Sequence, residues 1–309
     1  MTPPHVEPRP QSAPLEAELG PDLAAMIAAI GVPVVEAVPV TTIRWLGSPR
    51  ASYRVALADG RVLKGRRLRT PADVLRVASI SSLLDPRRFP PVLASHGCAL
   101  LTPWISGRPL SPDAWTPEQL NVCGRVMATM HGMRIPPDVA SLQPRGLQWT
   151  ERLDRWLGEL VSAGAVDVAE AREIASLATL SAPATTSTAV CHTDFCGDNI
   201  VTTLDGDLWV VDNEGLSLDA PEFDLARTWY RWPLTPAQQR AYADGYGAHG
   251  HSARFEAHFL HWALLAVLDS AAYRTRAGIA AARVPLARLA ELRRTQGRNE
   301  SFPRFLARE

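Results

Sequence analysis

Lysine is almost absent from this sequence. The 32 basic residues include one lysine, Lys64, and are otherwise arginines. Arginine replaces lysine on a solvated surface at little cost, so a genome-wide preference for arginine explains most of this bias. The single lysine has two explanations: it survived by chance, or its site requires a compact point charge on a thin stem. Lys64 follows the turn at residues 58–60, and the pattern predicts that it lies on the third of three short strands.

Long apolar runs and leader-like segments are also missing. No apolar run reaches the roughly 18 residues that a membrane-spanning helix needs. The first five residues, Met-Thr-Pro-Pro-His, contain neither the basic nor the apolar region of a secretory signal. These two absences predict a cytoplasmic protein with no membrane partner.

Cysteine is scarce, and four residues are too few and too scattered for a disulfide framework. They are Cys98, Cys123, Cys191 and Cys196. The last two flank His192 and Asp194, a combination that can suggest zinc. Structural zinc sites take a second ligand pair elsewhere in the chain, which this sequence lacks. We therefore predict that Cys191 and Cys196 are packing residues around a loop.

Nucleic-acid-binding patterns are absent, because the arginines neither cluster with stacking aromatics nor belong to a known module. The formal net charge is zero, but the charges are unevenly distributed. Residues 192–224 carry nine carboxylates and no basic residue, whereas residues 225–309 carry 13 arginines and 6 acids. The basic segment favours an anionic metabolite or acidic peptide as the partner. A solvated, arginine-rich surface is the alternative.

Apolar periodicity and turn residues divide the chain into a strand-rich and a helix-rich part. Strands are predicted at 38–46, 53–57 and 62–68, a helix begins at Thr70-Pro71, and two more strands lie within 92–101. Most of the remainder is helical, including the apolar segment 255–273, which predicts a buried helix. The fold class is therefore α+β. We predict a tail and helix (1–37), a small antiparallel sheet unit (38–103) and a larger, mainly helical unit (104–309).

The acidic stretch contains the residues with the clearest chemistry. The turn 205–207 and the apolar run 208–211 predict a hairpin that places Asp194, Asn199 and Asp212 near one another at strand ends. One carboxylate can accept a proton, while an amide and a second carboxylate can bind hard cations. Together they predict transfer of a phosphoryl group from a magnesium nucleotide to a hydroxyl.

Several segments occur in an order that resembles a known family. They are LGSPRASYRV (46–55), Lys64, LTPWISG (101–107), Met130-His131, HTD (192–194) with Asn199, VDNE (211–214) and DAPEFDLA (219–226). By their order and spacing the chain resembles the aminoglycoside phosphotransferase and choline kinase-like family. The resemblance implies a bilobal protein kinase-like fold, ATP or GTP with Mg²⁺ as cofactors, and a hydroxyl-bearing small molecule or peptide as the acceptor.

The resemblance also implies a role for each matched residue. Asp194 would be the catalytic base, and Asn199 and Asp212 would hold magnesium and complete the catalytic set. Lys64 would contact the α and β phosphates. The other nucleotide-binding residues would be Gly47, Ser48 and Ser52 over the phosphates, with Leu101 and Trp104 along the adenine.

Two further residues would act from behind the catalytic loop. By the same resemblance, His192 and Asp224 brace that loop. Ordinary helix capping is the alternative for Asp219 and Asp224. In this scheme residues 38–103 form the nucleotide-binding lobe, and residues 104–309 form the catalytic and acceptor-binding lobe.

Three positions depart from the family pattern. The helix after the lysine strand has no glutamate to pair with Lys64, so the pair is either made by the shorter Asp73 or absent. Thr193 stands where glycine is common, and Asn213 stands where an aromatic residue is common. The missing glutamate would also suit a catalytically silent pseudokinase scaffold. Retention of the lysine, base and metal residues favours an active enzyme.

The acceptor is the least determined part of the prediction. An antibiotic O-phosphotransferase of the aminoglycoside type, conferring resistance, and a Ser/Thr kinase acting on a ribosomal precursor peptide are both compatible with the motifs. Glu214, Arg227 and Arg231 are the candidate acceptor-binding residues. If the arginines face the acceptor, reversing their charge is expected to raise the acceptor KM and leave the nucleotide KM unchanged. If the arginines lie on the solvated outer surface, charge reversal is not expected to raise the acceptor KM.

Overall fold

The computed structural model describes residues 19–40, 52–109, 114–142, 149–247 and 251–295. The chain divides into two compact units. The first comprises the described residues of Met1–Ala78 and Pro91–Trp104, and the second those of Ser79–Pro90 and Ile105–Glu309. The proline-rich segment 1–14, the predicted strand residues 41–46 and the predicted phosphate-binding residues Gly47 and Ser48 lie outside the described residues.

The first unit is built on a five-stranded antiparallel sheet. Its strands are β1 (Val34–Pro39), β2 (Ser52–Leu57), β3 (Val62–Arg67), β4 (Ala94–His96) and β5 (Ala99–Pro103). Their order in the sheet is β1-β2-β3-β5-β4. The first strand begins at Val34, four residues before the predicted start at residue 38. This edge strand is largely exposed and therefore lacks the apolar alternation on which the prediction rests.

Helix α1 (Pro21–Ala29) covers one face of this sheet. Leu23 and Ile27 pack with Val55, Leu63 and other inward side chains. Successive strand residues point to opposite faces, so Lys64 in β3 lies on the face away from this cluster. The single lysine is therefore displayed by a strand whose other face is anchored in a core.

Helix α2 (Pro71–Ser81) follows β3 and starts at the predicted proline. The Thr70 hydroxyl accepts a hydrogen bond from the Asp73 amide at 3.1 Å, which satisfies one of the amides at the helix start. Val74 and Val77 of this helix pack with Leu68 and Leu100 in a small second cluster.

The second unit is mainly helical. Its described α-helices are α3 (Pro117–His131), α4 (Pro137–Ser141), α5 (Trp149–Ser162), α6 (Val168–Leu180), α7 (Pro221–Arg231), α8 (Pro236–Tyr246), α9 (His251–Ala257), α10 (Phe259–Thr275) and α11 (Arg283–Thr295). Short strands join them: β6 (Arg108–Pro109), β7 (Ala189–Cys191), β8 (Ile200–Thr202), β9 (Leu208–Val210) and β10 (Ser217–Asp219). The predicted α+β fold class, with a small antiparallel sheet and a larger helical part, is confirmed.

Helices α3 and α8 approach each other closely through two glycines. A Cβ on Gly124 would overlap the Tyr242 carbonyl, and one on Gly245 would overlap the Asn121 carbonyl. Only glycine permits backbones to come this near. The close approach places Tyr246, near the end of α8, against His131 at the end of α3, with 2.8 Å between the phenol oxygen and Nδ1.

The buried helix predicted at 255–273 is divided into α9 and α10. His258 lies at the break with φ −121° and ψ 29°, and its Nδ1 donates to the Ser181 carbonyl at 3.0 Å. His261 similarly contacts the Ala178 carbonyl at 2.8 Å. Both imidazoles thus tie α10 to the end of α6, which apolar periodicity could not reveal. Among the described residues, no helix has both the length and the apolar character needed to cross a bilayer.

Candidate active site

The hairpin predicted from the acidic stretch is present in the second unit. Strand β8 pairs antiparallel with β9, with Ile200 opposite Val210. Immediately beyond this pair, the Val211 amide donates to the Asn199 carbonyl at 2.8 Å. The residues preceding β8 and following β9 therefore lie side by side. This register brings Asn199 and Asp212 to the same end of the hairpin.

Asp194 contacts Asn199 directly. The Asn199 side-chain amide donates to the Asp194 backbone carbonyl at 2.8 Å and to its carboxylate Oδ2 at 3.0 Å. Asn199 is buried, whereas the Asp194 side chain is 32% exposed. Asn199 thus holds one carboxylate oxygen of the predicted base in place, while part of the Asp194 side chain is exposed to solvent.

Backbone strain is concentrated at this site. Among the described residues, Thr193 and Asp212 are the two non-glycine residues with positive φ, both at 63°. A left-handed backbone is costly for a β-branched residue, which explains why glycine suits the position of Thr193. Thr193 is held there because its hydroxyl donates to the Gly215 carbonyl at 3.0 Å and its carbonyl accepts from Arg227 Nε at 3.0 Å.

Asp224 fastens the catalytic loop from α7. Its carboxylate accepts from the backbone amides of His192 at 2.8 Å and Thr193 at 2.9 Å. Complete burial works against ionisation of Asp224, but its bond to His131 and the nearby His192 outweigh that effect and lower its pKa. Helix capping is therefore the wrong interpretation of Asp224, because its oxygens point to another segment.

A buried hydrogen-bond chain extends behind Asp224. His131 lies 3.2 Å from the Asp224 carboxylate through Nε2 and 2.8 Å from the Tyr246 hydroxyl through Nδ1. His131 appeared in the sequence motif without an assigned role, and Tyr246 was not singled out. These partners are 93 and 115 residues from His131, so sequence spacing gave no signal for the contacts.

His192 links the loop to the residue after Asp212. Its Nδ1 accepts from the Asp194 amide at 3.3 Å, and its Nε2 lies 3.2 Å from the Asn213 side-chain oxygen. Asn213, the departure from the aromatic pattern, therefore has a hydrogen-bonding partner in the buried His192 ring. The arrangement ties both ends of the candidate site together through one imidazole.

Arg227 and Arg231 face Asp194 from α7. Their guanidinium nitrogens lie 3.7 Å and 3.0 Å from Asp194 Oδ1. Arg227 also pairs with Asp269 of α10. A place on the solvated outer surface is therefore wrong for both arginines. Reversing the charge of either would set a carboxylate against the predicted base, so an effect confined to the acceptor KM is no longer expected.

The charge separation seen along the sequence is partly offset in space. At least six arginines of the segment 225–309 pair with carboxylates. They are Arg227, Arg231, Arg254, Arg276, Arg288 and Arg293. Two partners, Asp194 and Glu222, belong to the acidic stretch. A broad basic face therefore no longer supports an anionic acceptor, and only the arginines beside Asp194 bear on that question.

The donor set beside Asp194 suits a hard divalent cation. The Asn199 NH₂ group faces Asp194, which leaves its amide oxygen as the atom able to coordinate an ion. Asp212, at the same end of the hairpin, has a half-buried side chain with a carboxylate. Amide and carboxylate oxygens are ligands that Mg²⁺ accepts. The predicted metal residues therefore fit the ion chemically.

Another group of possible metal ligands lies behind the loop, where His131, Cys191 and Asp224 have ligand-type atoms within 4.8 Å of one another. Burial raises the pKa of the Cys191 thiol well above its ordinary value, and burial raises that of Cys196 to about 11. Both thiols therefore stay protonated near neutral pH. The Asp224 oxygens are already bonded to the loop amides. These contacts agree with a packing role for the two cysteines.

The predicted nucleotide residues of the first unit occupy different faces of its sheet. Lys64 pairs in register with Arg54 and Thr102, on the face away from α1. Ser52 is buried and accepts a hydrogen bond from Arg66 of the neighbouring strand. Leu101 faces the opposite way and is buried in the cluster under α1. Its side chain therefore supports the sheet and does not share the face of Lys64.

Trp104 follows β5, where its amide donates to the Val62 carbonyl at 3.0 Å. Its ring centroid lies 6.0 Å from the Arg54 guanidinium.

Asp73 lies in the first turn of α2, where its carboxylate pairs with Arg76 at 2.8 Å and accepts from the Thr70 hydroxyl at 3.0 Å. The proposed substitution of Asp73 for the missing glutamate stays a prediction.

Two acidic residues complete the comparison with the sequence. Glu214 is half-buried in the short helical turn Asn213–Gly215 that follows Asp212. Asp219 pairs with Arg152 at 2.7 Å and accepts from the Ala220 amide at 2.9 Å. Burial raises the pKa of Asp219 although Arg152 opposes that change. Ala220 is the N-cap residue of α7 and no side chain caps this helix, so helix capping is the wrong interpretation of Asp219 as well.

Comparison with known proteins agrees with this geometry. The model of the phosphotransferase enzyme family (APH) matches residues 40–258. No curated protein matches the chain by sequence.

Three solved structures illustrate the structural similarity. Plasmodium vivax ethanolamine kinase has 11% identity and a TM-score of 0.61, with 82% of each chain covered. A choline/ethanolamine kinase family protein from Mesorhizobium loti has 20% identity and a TM-score of 0.58, covering 92% of this chain and 95% of that one. A spectinomycin phosphotransferase in complex with ADP and spectinomycin has 13% identity and a TM-score of 0.60, covering 87% and 93%.

These structures share the predicted protein kinase-like fold. The match of the family model over most of the chain agrees with the order of motifs read from the sequence. The chain therefore belongs to the phosphotransferase enzyme family and is a kinase-type enzyme with an alcohol group as phosphoryl acceptor.

Proposed function

We propose that this enzyme transfers the γ-phosphoryl group of magnesium-bound ATP, or GTP, to a hydroxyl group of a small molecule or natural-product peptide. The observation that carries the proposal is the hydrogen bond between Asn199 and Asp194, at the end of the hairpin where Asp212 also lies. This contact sets a carboxylate that can take a proton beside oxygen donors for a hard cation.

Asp194 is the general base in this proposal. The acceptor oxygen forms a bond to the γ-phosphorus while the bond from that phosphorus to the β,γ-bridging oxygen breaks. The hydroxyl proton passes to the Asp194 carboxylate, and the nucleoside diphosphate leaves with the electron pair of the broken bond. Asn199 supports this role because it fixes the second carboxylate oxygen of Asp194 at 3.0 Å.

Asn199 and Asp212 would hold the magnesium ion, which neutralises negative charge on the phosphates when it is bound. The left-handed backbone of Asp212 supports a functional role, since such strain persists in non-glycine residues where a site requires it. Asp224, His131 and His192 keep the loop in position through their bonds to its backbone and to one another.

The nucleotide contacts involve the first unit. Lys64 would bind the phosphates from the sheet face opposite α1, where Ser52 and Trp104 are the neighbouring candidates. Gly47 and Ser48 belong to the same proposal but lie outside the described residues. Leu101 would contribute by supporting β5, since its side chain is buried beneath α1.

Calorimetric titration with ATP, in the presence and absence of Mg²⁺, tests the metal assignment. Asp212→Ala and Asn199→Ala should each weaken magnesium-dependent binding by about 10-fold or more, because each removes an oxygen ligand or its support. Asp205→Ala is the matched control, since Asp205 is an exposed carboxylate on the turn of the same hairpin. It should bind like the wild type.

Two results would count against the proposal. Equal magnesium-dependent affinity in all four proteins would remove Asn199 and Asp212 from the metal site. Normal binding of the magnesium nucleotide without transfer to any hydroxyl compound would instead favour the silent scaffold.

A further inference from the structure

The carboxylate of Asp194 is enclosed by positive charge on one side. Arg227 and Arg231 are one helical turn apart on α7, and both guanidinium groups approach Asp194 Oδ1, at 3.7 Å and 3.0 Å. Asn199 occupies the other oxygen, Oδ2. Although the side chain as a whole is partly exposed, Oδ1 itself is shielded from solvent. Oδ1 of the predicted base is therefore covered in this state of the protein, and Oδ2 keeps one lone pair beyond its bond to Asn199.

The two arginines are anchored differently. Arg227 has further strong partners, the Thr193 carbonyl at 3.0 Å from Nε and the Asp269 carboxylate. Arg231 has Asp194 as its ion-pair partner among the described residues, with Cys196 Sγ at 3.9 Å as a weak acceptor. Without Asp194, Arg227 would keep its ion pair with Asp269. Arg231 would keep only the longer-range influence of Asp198 among the carboxylates that act on it.

An acceptor hydroxyl has to reach a free oxygen of Asp194 to give up its proton. A hydroxyl that approaches Oδ1 meets the Arg231 guanidinium, and one that approaches the remaining lone pair of Oδ2 binds the same carboxylate beside that cation. The Arg231 side chain is 24% exposed, so separating it from Asp194 leaves a largely buried cation with Asp198 as a more distant countercharge. Such separation is strongly unfavourable unless another anion replaces the carboxylate.

We propose that Arg231 determines acceptor specificity by pairing with an anionic group, a carboxylate or phosphate, that the acceptor carries next to its reacting hydroxyl. The anionic group of the acceptor pairs with the Arg231 guanidinium when the acceptor hydroxyl binds the Asp194 carboxylate. The charge of Arg231 therefore stays compensated. An acceptor with an ammonium group at that place would meet like charge and be disfavoured. This inference rests on the proposed phosphotransferase function and names its substrate class.

The test compares hydroxy acids with their primary amides. A panel of hydroxy acids, the matched amides and kanamycin is offered with Mg²⁺ and ATP, and mass spectrometry records the gain of one phosphoryl group. The enzymes are the wild type, Arg231→Gln and Arg240→Gln. Arg240 is an exposed arginine on the neighbouring helix α8 and controls for the loss of one positive charge.

The wild type and Arg240→Gln should favour acids over their amides by about 10-fold or more in kcat/KM. Arg231→Gln should raise KM for the acids and reduce that preference to about twofold or less, with a smaller effect on the amides. A purely structural role for Arg231 would instead lower kcat for acid and amide equally, and that result would overturn the proposal.

Preference for kanamycin or for the amides, or the absence of any acid preference in the wild type, would also overturn it. Calorimetry with ADP and Mg²⁺ on the same proteins separates this failure from failure of the proposed function. Intact magnesium-dependent ADP binding without acid preference would reject only the role of Arg231. Absence of that binding in the wild type would reject the phosphotransferase assignment of the site as well.

Discussion

At the scale of single residues, Asp194 is subject to two opposing requirements. A general base needs an accessible oxygen, whereas an ionised carboxylate in a partly buried site needs compensating charge and hydrogen bonds. Asn199 and Arg231 supply that compensation at 3.0 Å each. Under the proposed role of Arg231, acceptor binding and release of the Asp194 carboxylate are therefore coupled.

Replacing Asp194 by asparagine keeps its shape but removes its ability to take a proton. We expect kcat to fall by roughly 100-fold or more with little change in the nucleotide KM, because the base contacts the acceptor proton and not the nucleotide. Steady-state kinetics with varied ATP would measure both values. Near-normal turnover would show that Asp194 is not the base, and Asp205→Asn provides the control for loss of an acidic side chain elsewhere on this segment.

At the scale of elements, the loop at residues 192–194 is tied to α7 by the buried Asp224 carboxylate as well as by Arg227 and Arg231. Asp224 binds two loop amides and the His131 ring, and its exposure is 0%. Removing one partner from a buried charged network leaves the others without compensation, which typically costs several kcal/mol. The position of Thr193 and Asp194 therefore depends on a helix that lies about thirty residues later in the sequence.

The lowered pKa of Asp224 predicts an acid sensitivity of the fold. A carboxylate whose folded pKa is below its unfolded value of about 4 contributes stability above that value and loses it as pH falls through the folded pKa. The free energy of unfolding should therefore decline below about pH 4. Urea denaturation at a series of pH values would measure this slope.

Asp224→Asn is the variant that isolates this effect. It should be less stable than the wild type by about 3 kcal/mol near neutral pH and should show a smaller loss of stability on acidification. Asp205→Asn should keep the wild-type slope. An unchanged slope in Asp224→Asn would mean that other carboxylates cause the acid sensitivity.

Gly215 controls the packing of the turn after Asp212 against the loop. A Cβ there would lie 2.7 Å from the Thr193 hydroxyl and 2.9 Å from the His192 carbonyl, both closer than ordinary contact. Gly215→Ala should therefore displace the loop, lower kcat and reduce stability by about 1 to 3 kcal/mol.

Gly158→Ala is the matched control for that change. Gly158 is exposed within α5, and a Cβ there would meet no atom within 4 Å. Alanine is favoured over glycine inside a helix, so this variant should gain about 0.5 to 1 kcal/mol. Equal thermal denaturation temperatures for the two variants would contradict the packing argument for Gly215.

At the scale of the whole molecule, the sequence predicted local features better than contacts between distant segments. The proline-initiated helix at Pro71 begins where the sequence places it, because caps and prolines act within one turn. Helices α7 and α11 were not predicted as separate elements. The start of the exposed edge strand β1 was misplaced and the helix break at His258 was not predicted, since both depend on neighbouring segments.

The candidate site shows the same division. Asp194, Asn199 and Asp212 could be located because they lie within one hairpin segment whose register follows from its turn. The contacts of Asp194 with Arg227 and Arg231, and of His131 with Tyr246, depend on how helices pack. Charge counts along the chain were misleading for that reason, because folding brings the acidic and basic segments into contact.

We propose that this chain moves a phosphoryl group from a magnesium nucleotide to an alcohol with Asp194 as the base. The most direct measurement uses ATP labelled in the γ-phosphoryl group and a panel of hydroxy acids, amino alcohols, aminoglycosides and Ser/Thr peptides. Wild type and Asp194→Asn are compared by mass spectrometry. We predict magnesium-dependent appearance of the label on at least one alcohol with the wild type, and its loss with Asp194→Asn. Equal labelling by both proteins, or none by a wild type that binds the magnesium nucleotide, would contradict this mechanism.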